Sequence, residues 1–376
     1  MSDAMPPFCA RPTCPFHAIP RTERYAAFVS WGSYATKAFG DVPRFRCTHC
    51  GKTFSVQTFR VDYYAKKVLD YDGIAGRLSS CESLSAIGRA THSSTDTISN
   101  RIARSARQAL AFESRLSRTR KPAENLAADG FEGFCRSQYF PNNIHILVGS
   151  TSQFLYAIDH VTLRRKGSMT QAQKAKRTKL DRLVTPEPSG IETSVARIAD
   201  ESLRVLSDGA IPTLVLWTDE KRDYPRGIER SPCASSLRSI GRLEHKTVSS
   251  RAARTLRNPL FPVNYLDREI RKDLHEHVRE TVCFGRNVNR QMERLAVYAY
   301  WHNYRKRHRI RGDPRSNAEV AGYVTDEIAS ETVALWERRA WLSLTELTET
   351  MRLTWLRRRR TPLRTKRDYL PKFAAA

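Results

Sequence analysis

The spacing of hydrophobic residues changes along the chain and predicts four segments. Residues 1–60 combine paired cysteines with aromatic residues, and residues 61–120 are dense in helix formers. Residues 121–310 alternate short apolar runs with helical patterns, as the strands and helices of an α/β domain do. Residues 311–376 open with a Gly-Asp-Pro turn and end in a run of basic residues. We therefore expect two small N-terminal domains, an α/β core and a basic helical C-terminal tail.

Short apolar runs predict four strands in the α/β segment. They lie at 126–131, 144–148, 154–159 and 212–219. Residues 164–205 are predicted to be an insertion, because a polar stretch rich in Lys and Gln interrupts the α/β pattern there. An amphipathic helix pattern closes this insertion.

A pair of helices is predicted near residue 90. Ser83 is a suitable N-cap for the first helix, and Ser94 or Thr95 is suitable for the second. Residues 91–93 form the turn between them, and the second helix presents short polar side chains. The pattern predicts a helix-turn-helix that binds DNA, although helix pairs with a purely structural role share it.

The charge balance points to nucleic acid. Lys and Arg number 64 against 39 Asp and Glu, which gives a formal charge of +25. Such a surplus favours a polyanionic partner, and the alternative is a basic surface that has no specific partner. With 40% hydrophobic residues the chain is not a disordered protein. Neither a signal peptide nor an apolar run long enough for a bilayer is present, so we expect a cytoplasmic, nucleoid-associated protein without a membrane segment. The arginine run at 357–360 is either a solvated tail or a further DNA contact.

Paired cysteines predict a structural zinc site. Half of the eight cysteines lie in the first 50 residues, namely Cys9, Cys14, Cys47 and Cys50. Two such pairs around short strands are typical of a zinc ribbon, in which the metal replaces a core too small to form alone. His17 could substitute for one of the first two cysteines, and unrelated buried thiols are the alternative.

Acidic residues at strand ends predict a second metal site. Asp129 lies in the first predicted strand and Asp219 ends the fourth. Carboxylates that converge in one crevice repel each other unless a divalent cation lies between them. Asp267 shares a helical stripe with Ile270 and is our candidate for a third acid, and Glu293 competes with it.

These residues resemble bacterial insertion-sequence transposases of the DDE type that carry an N-terminal zinc ribbon and helix-turn-helix. The resemblance covers nearly the whole chain and is most specific at 129–131, 218–226, 257–264 and 279–284. It implies a ribonuclease-H-like core in which three carboxylates hold two Mg²⁺ (or Mn²⁺) ions roughly 4 Å apart. It also implies that the protein cuts transposon ends in double-stranded DNA, joins the 3′-hydroxyl to target DNA, and acts as at least a dimer.

One position departs from that family pattern. Asn264 stands where many relatives have Glu, and the nearest acid is Asp267, one helical turn later. Either Asp267 completes the triad with Asp129 and Asp219, or the last acid lies elsewhere, or this copy is impaired. An inactive DNA-binding regulator and a structure-selective nuclease or resolvase are the rival functions. The residues that we expect to contact DNA are Thr95, Ser99, Asn100, Arg101, Arg104, Arg271, Arg305, Lys306 and Arg307.

Overall fold

Two β-sheets and the helices around them form the protein, which is mixed α/β. The computed structural model describes residues 5–18, 24–118, 124–206, 211–278, 281–309 and 311–375. The strands are β1 (Phe28–Thr36), β2 (Gly40–Cys47), β3 (Thr53–Ser55), β4 (Leu126–Cys135), β5 (Ser137–Gly149), β6 (Leu155–Thr162), β7 (Leu214–Asp219) and β8 (Leu243–Val248).

The helices of the described residues precede, connect and follow these strands. They are α1 (Arg24–Ala27), α2 (Tyr71–Leu78), α3 (Leu84–Ala90), α4 (Thr95–Leu116), α5 (Gln171–Leu183), α6 (Gly190–Asp200), α7 (Ser202–Leu206), α8 (Asp223–Arg230), α9 (Pro232–Ser239), α10 (Phe261–Asp273), α11 (Val288–Tyr300), α12 (Asn317–Val320), α13 (Thr325–Leu335) and α14 (Glu349–Trp355). A π-helical turn, Trp301–Arg305, continues α11. None of the described helices is both long and apolar enough to cross a lipid bilayer.

The small N-terminal sheet is antiparallel, with β2 between β1 and β3. Its core is one layer of aromatic rings, in which Phe28, Phe54 and Phe59 pack edge to face. Trp341 from the far end of the chain is buried against the same rings. A core this thin needs further support, which the cysteine cluster described below can supply.

The helix pair near residue 90 begins where the cap residues predict. The Ser83 hydroxyl accepts a hydrogen bond from the Ala86 amide at 3.2 Å, and the Ser94 hydroxyl accepts one from the Thr97 amide at 3.2 Å. Each bond satisfies an amide that the first turn of a helix leaves free. The predicted starts of α3 and α4 are therefore confirmed.

The large sheet has the order β6-β5-β4-β7-β8. Strand β5 runs antiparallel to β4 and β6, whereas β7 runs parallel to β4 and β8 runs parallel to β7. All four predicted strands are present. Strand β8 was not predicted, because only Leu243 of its six residues is buried and the others are polar or partly exposed.

Alternate residues of β4 feed two separate cores. Leu126 and Ala128 pack on one side of the sheet with α6, α8 and α9, and Ala127 and Phe131 pack on the other side with α10 and α11. The 22-residue helix α4 contributes to both cores, since its first half joins α2 and α3 and its second half reaches the first core. The helical pair and the sheet are thus joined through one continuous helix.

Only part of the predicted insertion at 164–205 lies outside the core. Helix α5 has no buried residue. In contrast, Val195, Ile198 and Ala199 of α6 are buried against the sheet, so α6 belongs to the core. Leu203, which continues the apolar pattern of α6, is exposed.

The C-terminal segment is not a free tail, which corrects our expectation for 311–376. Trp355 is fully buried, and Arg357 and Arg359 are buried beside it in sequence. Arg357 donates to the Glu293 carboxylate at 2.7 Å, and Arg107 of α4 donates to the same oxygen at 2.6 Å. Burial by itself would raise the pKa of Glu293, but Arg107 and Arg357 lower it to about 2. The last segment is therefore fastened to α4 and α11 by a buried ion cluster.

Replacing Glu293 should destabilise the protein strongly. We expect Glu293→Gln to lower the free energy of unfolding at pH 7 by about 3–5 kcal/mol, because it leaves buried guanidinium groups without their counter-charge. The stabilisation is present above the ordinary pKa of 4.5 and is lost as the pH falls towards 2, so the two proteins should converge in that range. Urea unfolding measures both effects, with the exposed Glu229→Gln as the control. A change below about 0.5 kcal/mol would contradict this role of Glu293.

Candidate active site and metal centre

Asp129 and Asp219 lie on neighbouring parallel strands. Ala127 of β4 is opposite Trp217 of β7, and the same offset places Asp219 level with Asp129. From this pair the sheet extends to β5 on one side and to β8 on the other. Such a switch point opens a crevice at the carboxyl ends of the strands, where ligands of α/β proteins bind.

Each of the two carboxylates has one oxygen held by protein donors. Asp129 Oδ1 accepts from the Gly130 amide at 2.7 Å and from the Tyr224 hydroxyl at 3.0 Å. Asp219 Oδ1 accepts from the Lys221 amide at 3.0 Å. Among the described residues, no donor bonds to Oδ2 of either group, so these oxygens are available to a cation.

The surroundings of Asp129 disfavour its charged form. Burial raises the pKa of Asp129, the Gly130 amide opposes that shift, and the negative charges of Asp219 and Asp267 raise the pKa further. A divalent cation would reverse the balance, since its charge offsets both burial and repulsion. The residues present therefore fit a magnesium or manganese ion.

Asp267 lies close to this pair but is held by an arginine. On α10 its Oδ1 accepts from Arg271 Nε at 2.7 Å. Burial raises the pKa of Asp267, and the positive charge of Arg271 opposes the shift. In the described part of the chain, no three carboxylates bring their oxygens within 4.8 Å of one another. Asp267 as third ligand stays a prediction, and it requires the pair with Arg271 to open.

Glu293, the competing candidate, is placed where a metal cannot reach it. Its two oxygens accept from Arg107, Arg290 and Arg357 in the buried cluster described above. Asn264 lies on α10 one turn before Asp267 and is half-buried.

Tyr224 is a site residue that the sequence analysis missed. It is buried on α8, and its ring packs edge to face on His145. Burial raises the pKa of Tyr224 well above its ordinary value, so its hydroxyl stays protonated and donates to Asp129. Gly130 has no room for a side chain, because a Cβ there would clash with Asn143 and His145. The signal was the position of Tyr224 inside the 218–226 stretch, five residues after Asp219 and in the first turn of the next helix.

The four predicted cysteines converge in the N-terminal domain. The Sγ atoms of Cys9, Cys14, Cys47 and Cys50 all lie within 4.8 Å of one another. Cys9 and Cys50 are 3.5 Å apart, and Cys14 and Cys47 are 3.9 Å apart. A tetrahedral zinc ion with Zn–S bonds of about 2.3 Å needs sulfurs roughly 3.8 Å apart. The cluster could therefore hold a structural metal such as zinc.

Neighbouring residues fix the cluster without joining it. His17 Nδ1 donates to the Cys9 carbonyl at 2.7 Å, and Nε2 accepts from the Ser343 hydroxyl at 2.7 Å. With both ring nitrogens engaged, His17 is not a ligand, and its proposed substitution for a cysteine is wrong. Gly51 has φ +67°, which favours glycine, and its amide donates to the Cys47 carbonyl at 3.0 Å.

The expected DNA contacts on α4 fall into two groups. Thr95 is exposed and Ser99 is partly exposed near the start of the helix. Arg101 and Arg104 are buried, which corrects the expectation that they offer free guanidinium groups. Arg104 donates to the Val61 carbonyl and to Asn100 Oδ1, and Arg101 donates to the Lys67 carbonyl. These two arginines and Asn100 hold α4 in place, and only its first turns are open to a partner.

Most of the other expected DNA-binding cations have partners within the protein. Arg271 pairs with Asp267, Arg305 pairs with Asp72 at 2.9 Å, and Lys306 pairs with Glu269 and Asp273. Arg307 is exposed and forms no ion pair with any described residue. Residues 279 and 280, in a stretch that carried the family resemblance, lie outside the described residues.

Comparison of the chain with models of known protein families and with curated proteins gives no match. The function is therefore inferred from the protein's own residues and their geometry.

Zinc content tests the cysteine cluster. We expect one zinc ion for each chain, and Cys47→Ser should weaken zinc retention at least about 100-fold because the metal loses a thiolate ligand. Removal of zinc by a chelator should also change the fluorescence of Trp341, which packs against the cysteines. Metal analysis measures the first effect, with Cys233→Ser as the control. Full zinc binding by Cys47→Ser would rule out this ligand set.

Neutralising Asp129 should stabilise the metal-free protein. Because the pKa of Asp129 is raised, the stability that this residue contributes is present at low pH and is lost as the pH rises through that pKa. Asp129→Asn should therefore unfold at a higher temperature than the wild type at pH 7. Free Mg²⁺ at 100 times its dissociation constant should stabilise the wild type by about 2.7 kcal/mol and the variant by much less. Thermal unfolding with and without Mg²⁺ measures both, with Asp313→Asn as the control. Equal stabilisation of wild type and Asp129→Asn by Mg²⁺ would remove Asp129 from the metal site.

Proposed function

We propose that the protein is a metal-dependent DNA transposase of the DDE type, of the kind found in bacterial insertion sequences. The observation that carries the proposal is the pair Asp129 and Asp219, level with each other at a switch point of the sheet in a chain of formal charge +25. Two adjacent carboxylates suit divalent cations, and a strongly basic chain suits a polyanionic substrate. Phosphoryl transfer on DNA combines the two.

The rest of the fold supports this proposal. A ribonuclease-H-like core accounts for a mixed sheet with acids on its central parallel strands. A zinc ribbon accounts for the small sheet with four convergent cysteines. A helix-turn-helix accounts for α3 and α4, where Thr95 of the second helix is exposed and Ser99 is partly exposed, as contacts to base edges or phosphates require. We propose at least a dimer on DNA, because two transposon ends must be joined together.

The residues of the candidate site have distinct roles in the proposed reaction. Asp129 and Asp219 would hold the cations, while the Tyr224 hydroxyl and the Lys221 amide each fix one oxygen of these carboxylates by a hydrogen bond. Two divalent cations, when bound, polarise the scissile phosphate and activate first water and then the freed 3′-hydroxyl. Asp267 turns from Arg271 to the site, and Arg271 is then free to bind a DNA phosphate.

An inactive DNA-binding regulator is the second candidate, and two observations favour it. Asn264 carries no charge where many of the transposases that the chain resembles have Glu, and Asp267 is neutralised by Arg271 at 2.7 Å. If that pair never opens, only two carboxylates face the crevice. Such a protein would bind DNA through the same N-terminal elements without cutting it.

Cleavage and joining of DNA that carries the element's own ends test the proposal. With Mg²⁺ or Mn²⁺ we expect the wild type to cut and join these ends, and Asp129→Ala, Asp219→Ala and Asp267→Ala to be slower by at least about 100-fold, because each removes a metal ligand. Asp313→Ala, which removes an acid from a surface turn, should match the wild type.

The same assay separates the two candidate functions. Tight binding of the ends by the wild type, without cutting under either metal, would exclude the transposase and favour the regulator. Activity that appears only in Asn264→Glu would identify an impaired copy with an intact site. Full activity of Asp267→Ala would show that Asp267 is not the third metal ligand.

A further inference from the structure

Helix α5 is a basic helix held outside the core. Its exposed cations are Lys174, Lys176, Lys179 and Arg182. Its one acid, Asp181, is paired with Arg164 at 2.6 Å. Leu180 packs against a small cluster that contains Tyr139 and Val184, and this contact fixes the end of the helix. The charges of α5 have no counterpart of opposite sign within the helix beyond Asp181.

A second basic element is the arginine run after α14. Its residues alternate in direction, since Arg357 and Arg359 are buried whereas Arg358 and Arg360 are exposed. Arg359 pairs with Asp159 on β6, as Arg357 pairs with Glu293. The buried pairs therefore restrain the backbone from which the side chains of Arg358 and Arg360 extend into solvent.

Hydrogen bonds hold the backbone of this run in place. The Arg359 amide donates to Asn289 Oδ1 at 3.0 Å, and Asn289 Nδ2 donates to the Arg359 carbonyl at 2.8 Å. The Val288 amide donates to the Thr361 hydroxyl at 3.1 Å, and Asn287 donates to Asp368 at 2.9 Å. A solvated tail has no such restraints, so the exposed cations extend from a backbone that is held in place.

A groove of about 950 Å³ separates the end of α5 from the arginine run. Leu183 and Val184 line one side of it, and residues 356–361 with 363–368 line the other. Its one acid, Asp368, is paired with Arg364 at 2.8 Å. The exposed cations that line it are Arg358, Arg360, Arg364, Lys366 and Arg367.

We propose that this groove binds the sugar-phosphate backbone of duplex DNA without regard to sequence. Among the described residues that line the groove, cations are clustered and the single acid is already paired, and such a lining fits the phosphates of a polyanion. The groove adjoins β6, two strands away from β4, and would therefore be a third DNA contact besides α4 and the acidic crevice. This inference rests on the proposed function for its choice of DNA as the partner.

The salt dependence of DNA binding tests the groove. The dissociation constant of a short duplex of random sequence is measured at several KCl concentrations for the wild type, Arg358→Gln, Arg360→Gln and the double variant. Removing one cation that neutralises a phosphate should reduce the slope of log K against log[salt] by about 1, and the double variant should reduce it by about 2. Arg238→Gln, an exposed arginine on α9, is the matched control and should leave the slope unchanged.

Each outcome decides between the proposals. An unchanged slope in the double variant, with the unfolding midpoint of the wild type, would overturn the groove. A larger effect on single-stranded RNA than on duplex DNA would overturn DNA as its occupant. If the slope is reduced in the double variant but the wild type never cuts DNA, the groove is supported and the transposase is contradicted.

Discussion

Repulsion between two neighbouring carboxylates is the constraint on which the candidate site depends. Parallel pairing of β4 with β7 continues at the same offset to Asp129 and Asp219, and both burial and the charge of Asp219 raise the pKa of Asp129. The surrounding residues hold the two carboxylates in this arrangement and do not separate them. Gly130 leaves room for the side chains of Asn143 and His145 on β5, and the Tyr224 hydroxyl holds one oxygen of Asp129 in place. A protein that retains such a pair has a use for the cation that would neutralise it.

The arginines of this protein divide into two populations. Arg107, Arg357 and Arg359 lie inside, where each meets a buried carboxylate and fastens the C-terminal segment to the core. Arg358 and Arg360 belong to the same run and face solvent. The formal charge of +25 therefore counts buried arginines that a polyanion cannot reach. The exposed arginines of the 357–360 run are the ones that can bind it.

Local sequence patterns predicted the elements that local physics determines. Ser83 and Ser94 act as caps through their own hydroxyls, and the apolar runs of β4, β5, β6 and β7 have the length and residue types of buried strands. The four cysteines were found because metal ligation needs a fixed spacing and residue type. The caps and strands are decided within a few residues of where they occur, and each cysteine pair is recognised from its own short spacing.

The features that were missed depend on partners far away in the sequence. Arg104 was expected at a DNA surface, but it donates to the Val61 carbonyl, and nothing near residue 104 announces that contact. Tyr224 meets Asp129 across 95 residues, and Trp341 closes the N-terminal domain from the other end of the chain. Periodicity identifies which residues are buried along one helix or strand. It does not identify what they are buried against.

Anomalous diffraction from crystals soaked in Mn²⁺ tests the acidic crevice most directly. The account predicts a manganese peak between the two aspartates, within about 2.5 Å of a carboxylate oxygen of both Asp129 and Asp219. A zinc ion held by the four cysteines would serve as the internal standard for occupancy. Peaks at the cysteines with none at Asp129 and Asp219 would contradict a metal-dependent site there.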